Sequence, residues 1–190
     1  MMGNYDPMID SQKVEGFLTG IQAKILYELA KESKHTIVEI GAYKGRSTIA
    51  LAKGAIAGHQ SIVYSIDHHC GSEEHGPDTW TWPEYLKNLD EAGVLGIVRP
   101  LVFMAHKAAK YVKDPVDLLF IDGSHDYESV KDDFETWSPK VIIGGKIVIH
   151  DTDHYPGPAR FICEIPKESF RFLPGTSNMK IVEKYVRDKN

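Results

Sequence analysis

The stretch Thr36-Ile-Val-Glu-Ile-Gly-Ala-Tyr-Lys-Gly-Arg-Ser-Thr48 decides the fold of this chain. An apolar β-branched run ends in an acid, Glu39, and two glycines, Gly41 and Gly45, follow before a helical pattern begins. A glycine turn between a strand and a helix lets the backbone approach a ligand and directs unpaired helix N–H groups at it. The pattern therefore predicts a ligand-binding unit at the carboxyl edge of an α/β sheet.

The spacing of this loop narrows the class of ligand. Dinucleotide-binding folds use Gly-x-Gly-x-x-Gly, whereas the run here is Glu39-x-Gly41-x-x-x-Gly45, and neither Ala42 nor Lys44 supplies the missing glycine. An acid two residues before the first glycine suits a cofactor with a cationic amino-acid end better than one with a pyrophosphate. S-adenosylmethionine is such a cofactor.

The composition bounds the class of protein. The 190 residues, 42% of them hydrophobic, are enough for one domain with a three-layer core, so we expect a single domain over residues 1–190. The net charge of −5 and the lack of a Lys/Arg-rich run argue against a nucleic-acid partner. Cys70 and Cys163 are far apart in sequence, which argues against a disulfide framework. No apolar run approaches ~18 residues and no signal-peptide pattern is present, so we expect a cytoplasmic protein without a membrane span.

The order of the local patterns predicts a mostly parallel sheet. Strand-like and helical runs alternate, and such alternation requires parallel strands with helices on both faces. Pro100 marks the third strand as an edge or irregular strand, and Pro174-Gly175 lies between two short runs that predict an antiparallel hairpin. The predicted helices cover residues 19–32, 45–57, 83 onward, 105–112 and 127–137, and the predicted strands cover 36–40, 61–67, 96–103, 116–121, 141–149, 169–173 and 179–186.

Four motifs in order resemble those of the class I S-adenosylmethionine-dependent methyltransferases over roughly residues 20–186. They are the glycine loop with Glu39, Asp67 at the end of the second strand, Leu119-Phe-Ile-Asp-Gly-Ser-His-Asp126, and Gly144-Gly-Lys-Ile-Val-Ile-His-Asp151. The last two are similar to the subfamily of catechol- and caffeoyl-CoA-type O-methyltransferases, whose neighbours act on sugars and antibiotics. The resemblance implies methyl transfer from S-adenosylmethionine to a hydroxyl oxygen of a small molecule.

The fold that the patterns and the resemblance imply is α/β. It is a Rossmann-like three-layer sandwich, with a mostly parallel seven-stranded sheet and a C-terminal antiparallel hairpin strand. Residues 1–18 would form an N-terminal extension, and residues 68–82 and 152–160 would form loops beside the active site. Trp80, Trp82 and Tyr85, in or beside the first of these loops, are expected to form either a lid over cofactor and substrate or a dimer contact or packing under the loop. A homodimer is the expected assembly because dimers are the commonest oligomers.

Cofactor contacts are expected at the carboxyl ends of the strands. The loop with Glu39 and Gly41 would face the methionine end of the cofactor, and Asp67 would accept two hydrogen bonds from a ribose diol. The plainer interpretation of the loop is a tight turn with Glu39 on the sheet surface. The plainer interpretation of Asp67 is an ordinary N-cap or loop acid. The other expected cofactor-binding residues are Tyr43, Gly45, Ser47, His68, Ala105, His106 and Asp122.

A metal and a catalytic base are expected where two neighbouring strands end. Asp122 and Asp151 would lie side by side, and two carboxylates repel each other unless a proton or a cation lies between them. Carboxylate oxygens suit Mg²⁺ or another divalent metal. In the catechol-type enzymes the second acid precedes a third ligand, and Thr152 stands in that place here. The residues that could complete the shell are Asp153, His154 and His125.

His125 is the predicted catalytic base. It lies three residues after Asp122, where the catechol-type pattern has a lysine base. Because imidazole titrates near neutral pH, His125 can take the proton from a substrate hydroxyl. The plainer alternative is a loop histidine that caps the helix starting near Tyr127.

Other functions stay as alternatives. N-methylation of nucleic acid is disfavoured because Asp122-Gly-Ser-His125 replaces the proline-rich run of those enzymes. An NAD-dependent oxidoreductase is disfavoured by the missing glycine and by the terminal hairpin. A cofactor-binding protein without methyl transfer stays open because of Thr152. A zinc site at His68-His69-Cys70 with His75 lacks a second pair of ligands. No sequence motif identifies the acceptor molecule.

Overall fold

A computed structural model of the protein describes residues 5–71 and 79–186. Its strands are β1 (Thr36–Ile40), β2 (Val63–Ile66), β3 (Val98–Leu101), β4 (Val116–Ile121), β5 (Val141–His150), β6 (Phe170–Thr176) and β7 (Met179–Lys184). Its helices are α1 (Pro7–Asp10), α2 (Gly20–Glu32), α3 (Arg46–Ala57), α4 (Trp82–Glu91), α5 (Ala105–Ala108), α6 (Tyr127–Trp137) and α7 (Pro156–Ile162), with short 3-10 turns at Ser11–Lys13 and Ser138–Lys140.

The strands form one seven-stranded sheet in the order β3-β2-β1-β4-β5-β7-β6. The first five strands of the chain run parallel, and β7 pairs antiparallel with both β5 and β6. The predicted fold class is confirmed, including the antiparallel strand at the end and the edge position of the strand with Pro100. The strand order reverses between β1 and β4, and an open α/β sheet binds its ligands outside such a switch point.

The helices pack on the two faces of the sheet as two separate layers. Helices α2, α3 and α4 cover one face, and α5, α6 and α7 cover the other. Because side chains alternate along a strand, Ile37 of β1 faces the first layer and Val38 faces the second. β4 lies between β1 and β5 in the middle of the sheet, which agrees with its apolar run from Leu118 to Ile121.

Local signals in the sequence placed most of the element boundaries. Thr19-Gly-Ile-Gln22 has the sequence of a capping box, and α2 begins with one: the Thr19 hydroxyl accepts the backbone N–H of Gln22, and the Gln22 side chain accepts that of Thr19. The predicted bounds of β1, β4 and α6 match the structure. The helix predicted over residues 105–112 is shorter, because α5 ends at Ala108.

Two predictions about this framework were wrong. The stretch 152–160 was expected to be a loop, but α7 begins within it at Pro156. Two prolines close together suggest a loop, yet proline is tolerated in the first turn of a helix, where its missing N–H has no partner to lose. The helical periodicity of residues 45–57 predicts Ile56 on the buried side of α3, but Ile56 is 45% exposed near the end of that helix. In the part of the chain that the structure describes, no helix has the length and apolarity that a membrane span requires.

Candidate active site

The loop between β1 and α3 has a backbone that requires its glycines. Gly41 has a φ of 86° and Gly45 a φ of 91°, and both values lie in the left-handed region that favours glycine. A Cβ on Gly41 would stand 1.9 Å from the carbonyl oxygen of Asp122. The glycine loop therefore lies directly against the end of β4, and the two segments form one rim at the carboxyl edge of the sheet.

The Asp67 carboxylate at the end of β2 holds this loop in position. Its Oδ2 accepts the backbone N–H groups of Ala42 at 2.9 Å and Tyr43 at 2.8 Å, and its Oδ1 accepts that of His69 at 2.6 Å. These bonds support the left-handed backbone of Tyr43, whose φ is 47°. A carboxylate can accept about four hydrogen bonds, so Asp67 keeps capacity for the hydroxyl groups of a ligand.

The structure corrects the expected position of Glu39. Its side chain is fully buried rather than on the surface or facing the loop, and its Oε2 accepts the hydroxyl groups of Thr48 at 2.5 Å and Ser65 at 2.8 Å. Glu39 lies one residue before the end of β1, in register with Ser65, so its side chain points towards α3. Burial raises the pKa of Glu39 to about 7, although the hydroxyl groups oppose this rise. Glu39 therefore joins α3 to the sheet from behind the loop.

A buried histidine connects the two carboxylates that end β4 and β5. Nδ1 of His150 lies 3.0 Å from Oδ1 of Asp122 and 3.3 Å from Oδ2 of Asp151. Burial opposes the charged form of His150, but the two carboxylates outweigh this and raise its pKa to about 10. Burial raises the pKa of Asp122, and His150 opposes that rise. The two acids are neighbours as predicted, and a protonated imidazole supplies positive charge between them.

The Asp151 carboxylate also contacts two other polar side chains of this cluster. Its Oδ2 lies 2.9 Å from Nε2 of His125, and its Oδ1 accepts the side-chain amide of Asn178 at 3.0 Å. Asp151 has a φ of 57°, which is uncommon for a residue other than glycine. Burial works against its ionisation, but hydrogen bonds from His125 and His150 outweigh this and hold the pKa of Asp151 well below its usual range. Asp151 is therefore ionised at neutral pH.

Thr152, in the place of the third family ligand, points away from the acid pair. Its Oγ1 donates to the carbonyl of Ser177 at 3.1 Å, and its N–H donates to the carbonyl of Asn178 at 3.3 Å. Thr152 therefore fixes the β6–β7 hairpin to the end of β5. Of the residues expected to complete a metal shell, His125 faces the acid pair, while the side chain of His154 is 69% exposed.

The acid pair and His125 fit a divalent metal. Ligand atoms of Asp122, His125 and Asp151 lie within 4.8 Å of one another, and no other such group of three occurs within residues 5–71 and 79–186. Two carboxylates with one imidazole can bind a divalent cation, and the imidazole shifts the preference from Mg²⁺ towards transition metals. The proton of His150 competes with such a cation for the same carboxylates.

One cavity of about 1120 Å³ extends along the carboxyl edge and joins these parts. Most predicted site residues line this cavity: Gly41, Tyr43, Ser47, Asp67, His68, Ala105, His106, Asp122, His125 and Asp151. Glu39 and Gly45 do not line it, and their expected contact with the cofactor stays a prediction. Gly45 instead caps α3, where an added Cβ would stand 2.7 Å from Leu89.

The comparison with known families agrees with this geometry. A family model described as a methyltransferase domain matches residues 38–152, from the first strand to the residue after Asp151. The chain belongs to this methyltransferase family. The match spans both halves of the site, since it contains the glycine loop and the acid pair.

Individual proteins resemble this chain in sequence or in fold. A relative from Sinorhizobium fredii, the uncharacterized protein y4gI, is 30% identical over 122 residues, or 62% of this chain, and the matched part spans 13% of the relative's length. The O-methyltransferase NovP has a TM-score of 0.77 at 16% identity, over 88% of this chain and 81% of NovP. TomG of Streptomyces achromogenes, an O-methyltransferase in complex with SAM, has a TM-score of 0.65 at 18% identity, over 90% of this chain and 82% of TomG. A rRNA methylase from Streptococcus thermophilus has a TM-score of 0.63 at 15% identity, over 86% of this chain and 94% of the methylase. Identities this low establish a shared fold and no more.

Sequence reasoning missed the contribution of residues 5–19, called the N-terminal segment below. Phe17 lines the cavity although its side chain is 75% exposed. The glycine loop holds this segment, since Nε of Arg46 donates to the carbonyl of Val14 at 2.6 Å and Nζ of Lys44 lies 2.6 Å from Oε2 of Glu15. An apolar pair, Phe17 and Leu18, in a polar stretch was the available signal. The N-terminal segment therefore belongs to the wall of the site.

The aromatic residues of the predicted loop 68–82 have different surroundings. The Trp82 and Tyr85 rings stack with centroids 5.7 Å apart, and the His69 ring contacts both. Nδ1 of His69 also forms a hydrogen bond with the Thr81 hydroxyl at 2.9 Å, so this nitrogen has a partner other than a metal ion. Trp82 therefore packs against His69 and Tyr85, which favours the packing interpretation for this residue. Trp80 is 54% exposed, and the lid interpretation stays a prediction for it, while His75 lies outside the described residues.

Proposed function

We propose that this chain transfers a methyl group from S-adenosylmethionine to a hydroxyl oxygen of a small molecule. One observation carries the proposal: a single cavity is lined by the glycine loop and Asp67 on one side and by Asp122, His125 and Asp151 on the other. The first set suits the cofactor, and the second suits proton removal from an acceptor. The fold is shared with NovP and with TomG, which was solved with SAM.

The cofactor end is built from backbone that Asp67 holds in place. The Ala42 and Tyr43 amides are fixed by the Asp67 carboxylate, so the loop keeps one conformation before a ligand enters. When bound, S-adenosylmethionine supplies an electrophilic methyl group. The task of the protein is then to align an acceptor oxygen with that group, and positioning of this kind accounts for large rate increases. Ser47, His68, Ala105 and His106 would make the remaining contacts.

His125 is the proposed proton acceptor. Its Nε2 lies 2.9 Å from the ionised Asp151, which stabilises the imidazolium that forms when the acceptor hydroxyl loses its proton. The ring of Tyr155 stacks on that of His125 with centroids 3.9 Å apart, so the imidazole is held in one plane.

A divalent metal at Asp122 and Asp151 is the less direct part of the proposal. When bound there, it would lower the pKa of the acceptor hydroxyl and fix its oxygen. His125 cannot act as the base through a nitrogen that also binds the metal, so the two roles exclude each other at Nε2. His150 would have to give up its contacts with the acid pair before a metal binds, which predicts stronger binding of Mn²⁺ at higher pH.

The charge of the cavity favours an uncharged small molecule over nucleic acid. Among the described residues that line the cavity, Arg46 is the one Lys or Arg side chain. Its guanidinium donates to the backbone carbonyls of Val14 at 2.6 Å and Leu18 at 2.6 Å, which removes it from the cavity as a phosphate ligand. Several carboxylates line the same space and would repel a phosphate. The small-molecule acceptor, the cytoplasmic location and the homodimer stay predictions.

Calorimetric titration with S-adenosylhomocysteine tests the cofactor. We expect micromolar binding, with no heat from NAD⁺, and a Mg²⁺- or Mn²⁺-dependent heat that is lost in Asp122→Ala. The matched control Asp90→Ala removes an exposed acid of α4 and should bind both ligands like the original protein. No binding of S-adenosylhomocysteine with or without metal would contradict the proposal.

Methyl transfer is tested with labelled S-adenosylmethionine and a panel of phenols, sugars and short RNAs. We expect label in a hydroxyl acceptor and none in RNA. His125→Gln should lower the turnover of that acceptor about 100-fold while its affinity for S-adenosylhomocysteine stays within about twofold, and the exposed His59→Gln should leave both unchanged. Cofactor binding without label in any acceptor would favour the alternative of a binding protein, and label in RNA would contradict the small-molecule assignment.

A further inference from the structure

Exposed apolar side chains and cations share one surface where the edge strand β3 leads into α5, called the β3–α5 patch below. Its apolar members are between 39% and 48% exposed: Val102, Phe103, Met104 and Tyr111. Its cationic members are exposed as well: Arg99, Lys107, Lys110 and Lys113. The rings of Phe103 and Tyr111 stack with centroids 5.1 Å apart, and Nζ of Lys110 lies 5.0 Å from the centroid of the Tyr111 ring. Apolar and cationic groups are therefore in contact on this surface.

The charge of the β3–α5 patch is opposite to that of the whole chain. No Asp or Glu occurs between Glu91 and Asp114, although the net charge of the chain is −5. Within residues 5–71 and 79–186, none of the patch cations forms an ion pair with an acid, whereas Nζ of Lys44 lies 2.6 Å from Oε2 of Glu15. The patch therefore presents positive charge to a partner.

The proposed active site does not account for this surface. Phe103 and Met104 line the cavity, but Val102 and Tyr111 do not. A ligand in the cavity would therefore leave part of the apolar surface in contact with water. The three lysines of the patch also lie outside the cavity lining. Contiguous apolar side chains with a polar rim are typical of a surface that docks on a protein or a membrane.

We infer that the β3–α5 patch docks this protein on the surface of an anionic lipid membrane. Lysines attract anionic headgroups, and aromatic side chains such as Phe103 and Tyr111 are suited to the layer between headgroups and acyl chains. The aliphatic stem of a lysine can lie along apolar surface while its ammonium group reaches a headgroup. The acids elsewhere on the chain oppose docking only weakly, because charges more than ~10 Å from the membrane are screened at about 0.1 M salt.

The apolar members of the patch favour a membrane over other anionic partners. Val102 and Met104 have neither a flat ring on which a base could stack nor a donor for a phosphate. A stable protein interface uses about 20–30 residues on each side, far more than this patch contains, whereas a bilayer requires no matching shape. A second copy of the chain cannot pair through the same patch, because an isologous contact would bring like charges together.

Sedimentation with large lipid vesicles tests the docking. At about 0.1 M salt, we expect the original protein to bind vesicles of phosphatidylcholine and phosphatidylglycerol in equal parts, and to bind vesicles of phosphatidylcholine alone much more weakly. The triple variant Lys107→Ala, Lys110→Ala and Lys113→Ala should lose about 100-fold in vesicle affinity, since each lysine near an anionic surface contributes about fivefold. Tyr111→Ser keeps the lysines and should lose about fivefold, because it removes apolar contact.

A second triple variant is the matched control for charge. Lys24→Ala, Lys31→Ala and Lys34→Ala remove three exposed lysines in or beside α2, so the net charge changes by the same amount at a distant place. This control should bind the anionic vesicles like the original protein. Thermal denaturation shows whether each variant is folded, and the lysine variant and Tyr111→Ser give independent readings of the patch.

The outcomes decide between the membrane and the other partners. The inference is wrong if the original protein does not bind the anionic vesicles, if it binds both kinds of vesicle equally, or if the two triple variants lose the same affinity. Unchanged binding by Tyr111→Ser would also overturn it, because docking would then need no apolar contact. Binding of a short RNA or of polyglutamate without binding of vesicles would assign the patch to that other class of partner. None of these results depends on methyl transfer, so the inference and the proposed function can fail separately.

Discussion

Nδ1 of His150 lies 3.0 Å from Oδ1 of Asp122, and the His150 side chain is buried. The same nitrogen is 3.3 Å from Asp151, so one imidazole serves two carboxylates. In the catechol-type family a metal lies between acids at the ends of these strands. Here the fold supplies a positive charge of its own, and several properties of the protein should depend on it.

Loss of His150 should destabilise the protein. In His150→Gln the two carboxylates keep their burial and lose the charge between them, and breaking a buried ionic cluster in this way costs about 3 kcal/mol or more. Urea denaturation at pH 7 without ligands measures the free energy of unfolding. The control His59→Gln removes an exposed histidine and should change this free energy by less than about 0.5 kcal/mol. Equal stability of the two variants would contradict the assigned role of His150.

The contribution of His150 should also depend on pH in one direction. Its pKa is raised from 6.5 to about 10 in the folded protein, so the native state binds a proton that the unfolded chain releases. This stability is fully present below pH 6.5 and is lost as the pH rises through 10. The difference in unfolding free energy between the original protein and His150→Gln should therefore shrink from pH 6.5 to pH 10. A difference that stays constant over this range would show that the imidazole acts through packing alone.

The free energy of unfolding should also depend on the ionisation of Glu39, which is unfavourable in the folded protein. Its pKa is raised from 4.5 to about 7 by burial, so the folded state favours the neutral carboxyl group. The ionised form destabilises the protein, and this cost grows as the pH rises from 4.5 to 7, to about 3 kcal/mol. Glu39→Gln cannot ionise, so its stability relative to the original protein should rise between pH 5 and pH 8. Urea midpoints of the two proteins at matched pH check this, and a flat difference would contradict the buried titration.

The positions that could be predicted from sequence are those that follow from strand ends. Asp67, Asp122 and Asp151 each follow or end a parallel strand, and parallel strands bring their carboxyl ends to one edge. Glu39 could not be placed this way, because a shift of one residue along a strand turns a side chain to the opposite face. The acid was read as the end of β1, while Ile40 holds that position.

Contacts between distant segments were the part that sequence patterns could not supply. Asn178 reaches Asp151 only because β7 pairs antiparallel with β5, which brings Met179 opposite His150. The N-terminal segment joins the site through Arg46 and Lys44, whose charges look like ordinary surface charges in the sequence. Such contacts have no local period and become visible only in three dimensions.

The backbone of Gly41 should tolerate no side chain. Gly41→Ala places a Cβ 1.9 Å from the Asp122 carbonyl and forces a φ of 86° on alanine. Together these effects should cost about 3 kcal/mol of unfolding free energy. Gly96→Ala is the matched control, because nothing lies within 4 Å of its added Cβ, and it should change stability by less than about 0.5 kcal/mol. Thermal or urea denaturation decides, and a Gly41→Ala protein as stable as the control would mean that the loop does not lie against β4.

Asp67 should matter more for cofactor binding than for the stability of the fold. In Asp67→Asn one carboxylate oxygen becomes an NH₂ group, which cannot accept the N–H groups of Ala42 and Tyr43 or of His69 on that side. Hydrogen bonds to a charged acceptor contribute about 1.5–3 kcal/mol, so a loosened loop and the loss of the proposed ribose acceptor should weaken S-adenosylhomocysteine binding by about tenfold to a hundredfold. Calorimetry measures the affinity, and Asp90→Asn, at an exposed position of α4, is the control. Unchanged affinity in Asp67→Asn, in a protein whose original form binds the ligand, would separate Asp67 from the cofactor site. A loss of affinity matched by an equal loss of unfolding free energy would instead assign Asp67 to the loop alone.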